Sequence, residues 1–238
     1  MNNYLIFGAS GAIGQAITNQ CLINGHQVHQ IFRSNNFKHE ATTPNCHKYY
    51  LDVYKEQELL QLATLLKEYQ INRIINCAGI LHTKDISPEK TIIQLNPNAF
   101  VEIIKANTLL TALIAKHLLP LFNKNTKSVF AVLSARIGSI SDNQLGGWYS
   151  YRASKAALNQ ILKTLSIEFK FKKPNAVFVA LHPGTTDSNL SKPFQKNIPP
   201  KKLFTARFVA KCLLNIIETI QPENSGSFYA WDGSTIQW

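Results

Sequence analysis

Short β-rich runs alternate with longer helical patterns along the whole chain, and that rhythm constrains the fold more than any other feature. Candidate strands cover residues 4–8, 27–32, 48–51, 73–76, 128–133, 176–181 and 228–230. Between them, residues 13–24, 57–68, 99–119, 149–170 and 206–220 carry apolar side chains at helical spacing. Pro120 and Pro174 fall where helices should stop. Apolar strands alternating with helices predict βαβ units, hence an α/β fold with a doubly wound, seven-stranded parallel sheet covered by helices on both faces. A chain of 238 residues, 45% apolar, can bury one substantial core, so one domain over residues 1–238 is expected.

Composition removes several function classes. The opening residues lack a basic n-region, and nowhere do about 18 uncharged apolar residues run together, so the expectation is a cytoplasmic protein without a membrane partner. Cys21, Cys46, Cys77 and Cys212 form no C-x-x-C pair, and the seven histidines show no ligand spacing, so no metal is expected. The net charge of +11 is concentrated in residues 151–211, where twelve Lys/Arg face only Glu168 and Asp187. Those cations are scattered among polar turns without a nucleic-acid motif, which points to solvated surface and attraction for an anionic cofactor, not to nucleic acid.

The first strand ends in Gly8-Ala9-Ser10-Gly11-Ala12-Ile13-Gly14 and a helix follows at once. Such a run is also an ordinary tight turn. Immediately after the first strand of a βαβ pattern, it suits a dinucleotide pyrophosphate meeting bare backbone at a helix N-terminus, with Gly8, Ser10, Gly11, Ile13 and Gly14 as contacts. Where NAD enzymes commonly carry an acid at the end of the second strand, this chain has Arg33-Ser34. A guanidinium can hold a 2′-phosphate bidentately, so Arg33 argues for NADP(H) over NAD(H); a plain surface arginine is the alternative.

Within Tyr149-Ser150-Tyr151-Arg152-Ala153-Ser154-Lys155, a separation of four puts Tyr151 and Lys155 on one helix face. A phenol with an ordinary pKa of about 10 is a poor acid–base group at neutral pH, and a nearby ammonium would lower it toward the working range. Reduction of a carbonyl by hydride needs a proton donor of this kind.

The glycine turn, the Tyr-Arg-Ala-Ser-Lys match to Y-x-x-x-K, and Asn76-Cys77-Ala78-Gly79 after the fourth strand occur in the order of the short-chain dehydrogenase/reductase family, which the chain resembles over nearly its whole length. Within that family, residues 133–140 and Gly146-Gly147-Trp148-Tyr149 are similar to the carbonyl-reductase branch of sniffer- and C-factor-like proteins. The resemblance implies a Rossmann fold and NADP(H)-dependent interconversion of a small carbonyl and its alcohol. It implies cofactor contacts at Asp52, Val53, Asn76, Ala78, Gly79, Tyr151, Lys155, Pro183, Gly184 and Thr186. It implies catalysis by Tyr151, with Lys155 holding ribose hydroxyls, Asn107 anchoring a water and Ser134 orienting the carbonyl oxygen. A one-residue shift would put Ala135 at the serine position and leave Ser139 as substitute. The turn departs from the family pattern at Phe7 and Ala12. Pairing through the long helices into a homodimer or homotetramer is also implied, and a C-factor-like signalling role is the alternative activity. The polar stretch 188–202 reads as a loop over the site.

Overall fold

The computed structural model describes the backbone of Met1–Trp238 and every side chain except those of Asn197 and Pro200. Ten strands form: β1 (Asn3–Phe7), β2 (Gln27–Arg33), β3 (Lys38–Thr43), β4 (Cys46–Leu51), β5 (Arg73–Asn76), β6 (Ser128–Leu133), β7 (Ala176–His182), β8 (Thr185–Thr186), β9 (Leu203–Phe204) and β10 (Ser227–Ala230). Eight of them make one sheet in the order β10-β7-β6-β5-β1-β2-β4-β3, and β8 pairs with β9 outside it. Within the large sheet every pairing is parallel except β3 with β4.

All seven expected strands are therefore present in a parallel array, with an eighth, antiparallel strand added at one edge. That strand, Lys-His-Glu-Ala-Thr-Thr, is polar and mostly exposed, and its register shifts between Ala41 and Thr43. Its composition hides it from a search for apolar runs. A short, charged, irregular edge also discourages pairing with another chain.

The central strands divide their side chains between two cores, as a period of two requires. Leu5 and Phe7 of β1, Phe130 and Val132 of β6, and Phe178 and Ala180 of β7 share one core. That core packs against α2 (Glu56–Leu66), α4 (Leu110–Leu118) and α5 (Tyr149–Lys172). Tyr4, Ile6, Val129, Ala131, Val177 and Val179 face the other core, covered by α1 (Ala12–Ile23) and α6 (Ala206–Thr219). The helix preceding α4, α3 (Pro97–Ile104), runs into it through a π turn at Lys105–Leu109. By length and composition alone the helical run Pro97–Leu121 could cross a membrane; here Leu110, Ile114 and Leu118 lie in the first core.

The chain leaves β1 toward β2 and β4, then returns to the other side of β1 with β5. The carboxyl ends of β1 and β5 lie side by side, with Phe7 opposite Asn76. Such a reversal opens a crevice where ligands of α/β sheets bind.

Candidate active site

The crevice is built from chain packed on chain. Gly8 has φ +70°, and a Cβ there would lie 2.6 Å from the Ala78 nitrogen; at Gly14 it would lie 2.3 Å from the Gly8 oxygen. Glycine is needed at both positions for β1, β5 and α1 to meet. Gly11 is different: its Cβ would meet only the Gly8 oxygen, at 3.4 Å, so its other side stays open. α1 begins here without a side-chain cap and without an acidic residue in its first turn. Uncapped N–H groups at the positive end of a helix dipole suit an anion.

Three adjoining cavities follow the carboxyl ends of the central strands. Ser10–Gln15 line one of about 820 Å³. A second, of about 250 Å³, is lined by Gly8, Arg33, Val53, Tyr54, Ala78 and Leu110 among others. The third, of about 520 Å³, includes Ala135, Trp148, Tyr151, Lys155, Gly184 and Phe194 in its wall. Cys77 and Gly79 border all three, so the turn after β5 joins them. In the second cavity the Arg33 guanidinium lies 5.9 Å from the centre of the Tyr54 ring. The donor set fits a dinucleotide: a cation at one end, bare helix N–H groups in the middle, and a mainly apolar chamber with a phenol and an ammonium at the other.

Not every expected contact reaches this crevice. Asn76 is buried, its amide donating to Thr111 Oγ1 at 2.9 Å and its Oδ1 accepting from the Ala78 N–H at 3.0 Å. It shapes the turn instead of lining it, because both ends of its amide are satisfied within the protein. The Asp52 carboxylate accepts the Tyr54 N–H at 3.0 Å, closing its own turn, and the cavity wall beside it belongs to Val53 and Tyr54. The Ser34 hydroxyl accepts the Asn36 N–H at 3.2 Å and lies outside the wall. The remaining expected contacts, Gly8, Ser10, Gly11, Ile13, Gly14, Arg33, Val53, Ala78, Gly79, Pro183, Gly184 and Thr186, all border the cavities.

Tyr151 and Lys155 stand on the first turns of α5, with the Lys155 Nζ 5.8 Å from the Tyr151 ring centre and donating to the Leu133 carbonyl at 2.9 Å. Burial pushes Lys155 down to about 8. Burial also raises the Tyr151 phenol above its ordinary value, so the expected lowering by the neighbouring ammonium is outweighed. A phenol kept protonated is an acid in waiting, which suits delivery of a proton. Asn107 sits in the π turn, a feature frequent at functional sites. Its Oδ1 accepts the Ile80 N–H at 2.7 Å, and its Nδ2 donates to the Ile80 carbonyl and the Ser154 hydroxyl, each at 2.9 Å. The amide thereby ties the β5 turn to α5, and both of its hydrogens have protein acceptors.

The serine expectation changes. Ser134 borders the third cavity, but its hydroxyl donates to Asn159 Oδ1 at 2.6 Å, directing its proton into the interior. Ser139, also buried, exchanges a hydrogen bond with Ser141 and accepts the Asp142 N–H. Ala135, next to Ser134, borders the cavity. Tyr54 carries no local signal and enters its wall only through the fold, while Cys77 lies inside the Asn76–Gly79 turn and Phe194 inside the stretch 188–202 expected over the site.

The model of the family described as "short chain dehydrogenase" matches residues 2–199. A 1-hydroxy-2-glutathionyl-2-methyl-3-butene dehydrogenase of Rhodococcus is 29% identical over 190 residues, covering 79% of this chain and 78% of that protein. The C-signal protein of Myxococcus xanthus is 29% identical over 125 residues, covering 52% of this chain and 70% of its own length. Among solved structures, the carbonyl reductase sniffer of D. melanogaster superposes with a TM-score of 0.83 at 22% identity, covering 100% of both chains. An NADPH-bound carbonyl reductase from chicken fatty liver superposes at 0.82 and 23% identity, covering 100% of this chain and 94% of the other. At these identities the two structures speak for the fold.

Proposed function

This chain belongs to the short chain dehydrogenase family, and from that premise we propose that it is an NADP(H)-preferring oxidoreductase that reduces an aldehyde or ketone to its alcohol. One observation carries the reading: Tyr151 and Lys155 border the same chamber that continues, past Cys77 and Gly79, into the glycine turn. The preference for NADP(H) is supported by Arg33 in the second cavity, by the lack of an acid at the end of β2, and by the NADPH carried by the chicken reductase.

Ser10, Gly11, Ile13 and the N–H groups of α1 would hold the pyrophosphate, Arg33 the 2′-phosphate, Val53 and Ala78 the adenosine end, and Pro183, Gly184 and Thr186 the nicotinamide end. When bound, the cofactor supplies a hydride to the carbonyl carbon. Tyr151 gives its phenolic proton to the carbonyl oxygen as negative charge develops there, and a phenol that burial keeps protonated is ready for that step. Lys155, anchored on the Leu133 carbonyl, presents its ammonium to the ribose hydroxyls and to the phenolate left behind. Asn107 and Ser154 fix the spacing between the β5 turn and α5, so the phenol and the ammonium keep their places. Ser134, with its proton on Asn159, braces β6 against α5 instead of orienting substrate.

The same reading makes the protein cytoplasmic and homodimeric or homotetrameric. Val101 and Leu109, from α3 and the following π turn, and Ile167 and Phe171 of α5 are exposed apolar groups on the helices that would pair. A signalling role for the folded domain is the second reading, favoured by the match to the C-signal protein.

The deciding experiment follows NADPH and NADH oxidation in parallel over a panel of aldehydes, ketones and quinones. Oxidation of NADPH in preference to NADH is expected, with a loss of about a hundredfold or more in Tyr151→Phe while NADPH binding persists. Equal turnover in that variant would remove Tyr151 as the proton donor. An inert parent protein that still binds NADPH would favour the signalling reading.

A further inference from the structure

Immediately before α5 the backbone does something uncommon. Gly146, Gly147 and Trp148 follow one another at φ +63°, +65° and +53°, and the third of these carries a bulky side chain in the left-handed region. Non-glycine residues rarely stay there unless their surroundings fix them. Two neighbours, Glu89 and Arg152, do so. The Trp148 N–H donates to the Glu89 carbonyl at 2.6 Å. Arg152 donates through Nε to the Gly147 carbonyl at 2.9 Å and through its terminal nitrogen to the Gly146 carbonyl at 3.0 Å. The buried Glu89 carboxylate accepts from the Ser150 N–H and hydroxyl, holding the residues just after the turn.

This bracing does not serve the cores, since Trp148 belongs to neither and is only half-buried. Its indole instead borders the catalytic chamber. The indole stands 6.3 Å from the Tyr151 ring at 71°, edge to face, and 5.0 Å from Phe194 at 54°. Two aromatic groups thus meet beside the proton donor Tyr151, one of them fixed by a left-handed turn.

Resting on the reductase reading above, we propose that Trp148 is a specificity-determining wall that makes the chamber select planar, aromatic carbonyl compounds over saturated ones of the same size. A flat ring offered to Trp148 and Phe194 gains tilted or offset aromatic contacts beyond the area it buries, whereas a saturated ring gains burial alone. The selection therefore appears as a ratio between matched ligands and not as general tight binding.

The test uses two matched pairs. 2-Acetylnaphthalene and its fully saturated ring counterpart serve as substrates with NADPH. 2-Naphthol and 2-decalol serve as non-reducible probes, their binding to the NADP⁺-loaded protein read by calorimetry. The aromatic member is expected to lead by about fivefold in kcat/KM and in affinity. That lead should shrink toward one in Trp148→Leu and return in Trp148→Phe. Phe194→Leu, which leaves the left-handed turn intact, should reduce it part of the way and guards against misfolding of the first variant. Equal treatment of both pairs by the parent protein, or an unchanged ratio in both Leu variants, overturns the proposal. Reduction of both ketones at equal rates would do so while leaving the reductase reading intact. A Trp148-dependent preference for 2-naphthol in a protein that reduces nothing would support the wall and sink the reductase.

Discussion

Lys155 lies buried beside Tyr151 on α5. Its ammonium has one protein acceptor, the Leu133 carbonyl, and burial lowers its pKa to about 8 against an ordinary value of 10.5. Between pH 10.5 and 8 the unfolded chain binds a proton that the folded chain does not, so stability falls as pH falls through that window and the full cost persists below it. Replacing the charge should therefore help folding and harm function. Lys155→Met is expected to gain on the order of 1–3 kcal/mol at pH 7 in urea unfolding. It should also lose the decline in NADPH affinity that the parent shows as pH rises through about 8, read by quenching of protein fluorescence. Gly138 makes the complementary argument from space. A Cβ there would lie 2.7 Å from the Lys155 Cβ and 2.8 Å from its carbonyl carbon, so the loop after β6 touches α5 directly at Lys155. Gly138→Ala must push helix and loop apart, at about 1–3 kcal/mol, and should weaken NADPH binding along with stability. Unfolding and binding that both match the parent protein would show that the two elements separate freely.

At the scale of elements, α5 carries Tyr151 and Lys155 yet begins with a residue unable to cap it, because the side chain at its N-cap is the indole of Trp148. The cap comes from Glu89, 61 positions before Ser150, whose N–H it accepts at 3.3 Å. Glu89→Ala should therefore cost about 0.5–2 kcal/mol in thermal or urea unfolding. Because Tyr151 is the third residue of that helix, kcat should fall for every substrate with little change in NADPH affinity. A loss of stability with kcat untouched would make Glu89 a cap and nothing more. This contact marks the limit of what the sequence discloses. The strands and helices were legible because burial on two faces imposes apolar runs, and helices on the faces impose their own period. Gly8 and Gly14 were legible from a glycine run directly after the first strand, and Tyr151 and Lys155 from their separation of four on one helix. Glu89 and Tyr54 were not, since each meets its partners through a pairing between distant segments, and Phe194 was legible only as part of the stretch 188–202 read as a loop over the site. The direction of the Ser134 hydroxyl was illegible for a related reason: a hydroxyl beside a cavity can turn to either side, and Asn159, in the middle of α5, turns it inward. β3 escaped because a polar edge strand is defined by its partner, not by its own composition.

Across the whole molecule, the least expected feature is a row of histidines on the last three strands of the sheet. His29 of β2, His47 of β4 and His39 of β3 stack in sequence, at 5.0 Å and 9°, then 5.5 Å and 22°. His29 is fully buried; its Nδ1 meets the Tyr49 hydroxyl at 3.3 Å, and its Nε2 has no hydrogen-bond partner among the described residues. A charged imidazole there would be desolvated and would face two others, so burial, then His47 and His39, push His29 down to about 3. His47 is lowered as well, by burial and then by His39. The sign follows from linkage. Below about 6.5 the unfolded chain takes up a proton that folded His29 refuses, so its contribution is complete above that pH and is lost as pH falls from 6.5 toward 3. Each such proton steepens the acid limb by at most about 1.4 kcal/mol per pH unit. Because β2 pairs with both β1 and β4, the loss is transmitted to the sheet centre and should appear as global unfolding. Urea unfolding between pH 7 and 4 should show the slope, and His29→Leu, which removes both the titration and the unpartnered nitrogen, should flatten it by close to one proton. The net charge of +11 adds repulsion of its own in acid, but salt screens that part and leaves a buried proton's contribution in place. Measured in 0.5 M salt, identical slopes for the parent and His29→Leu would assign the acid limb to surface charge and not to the histidine row.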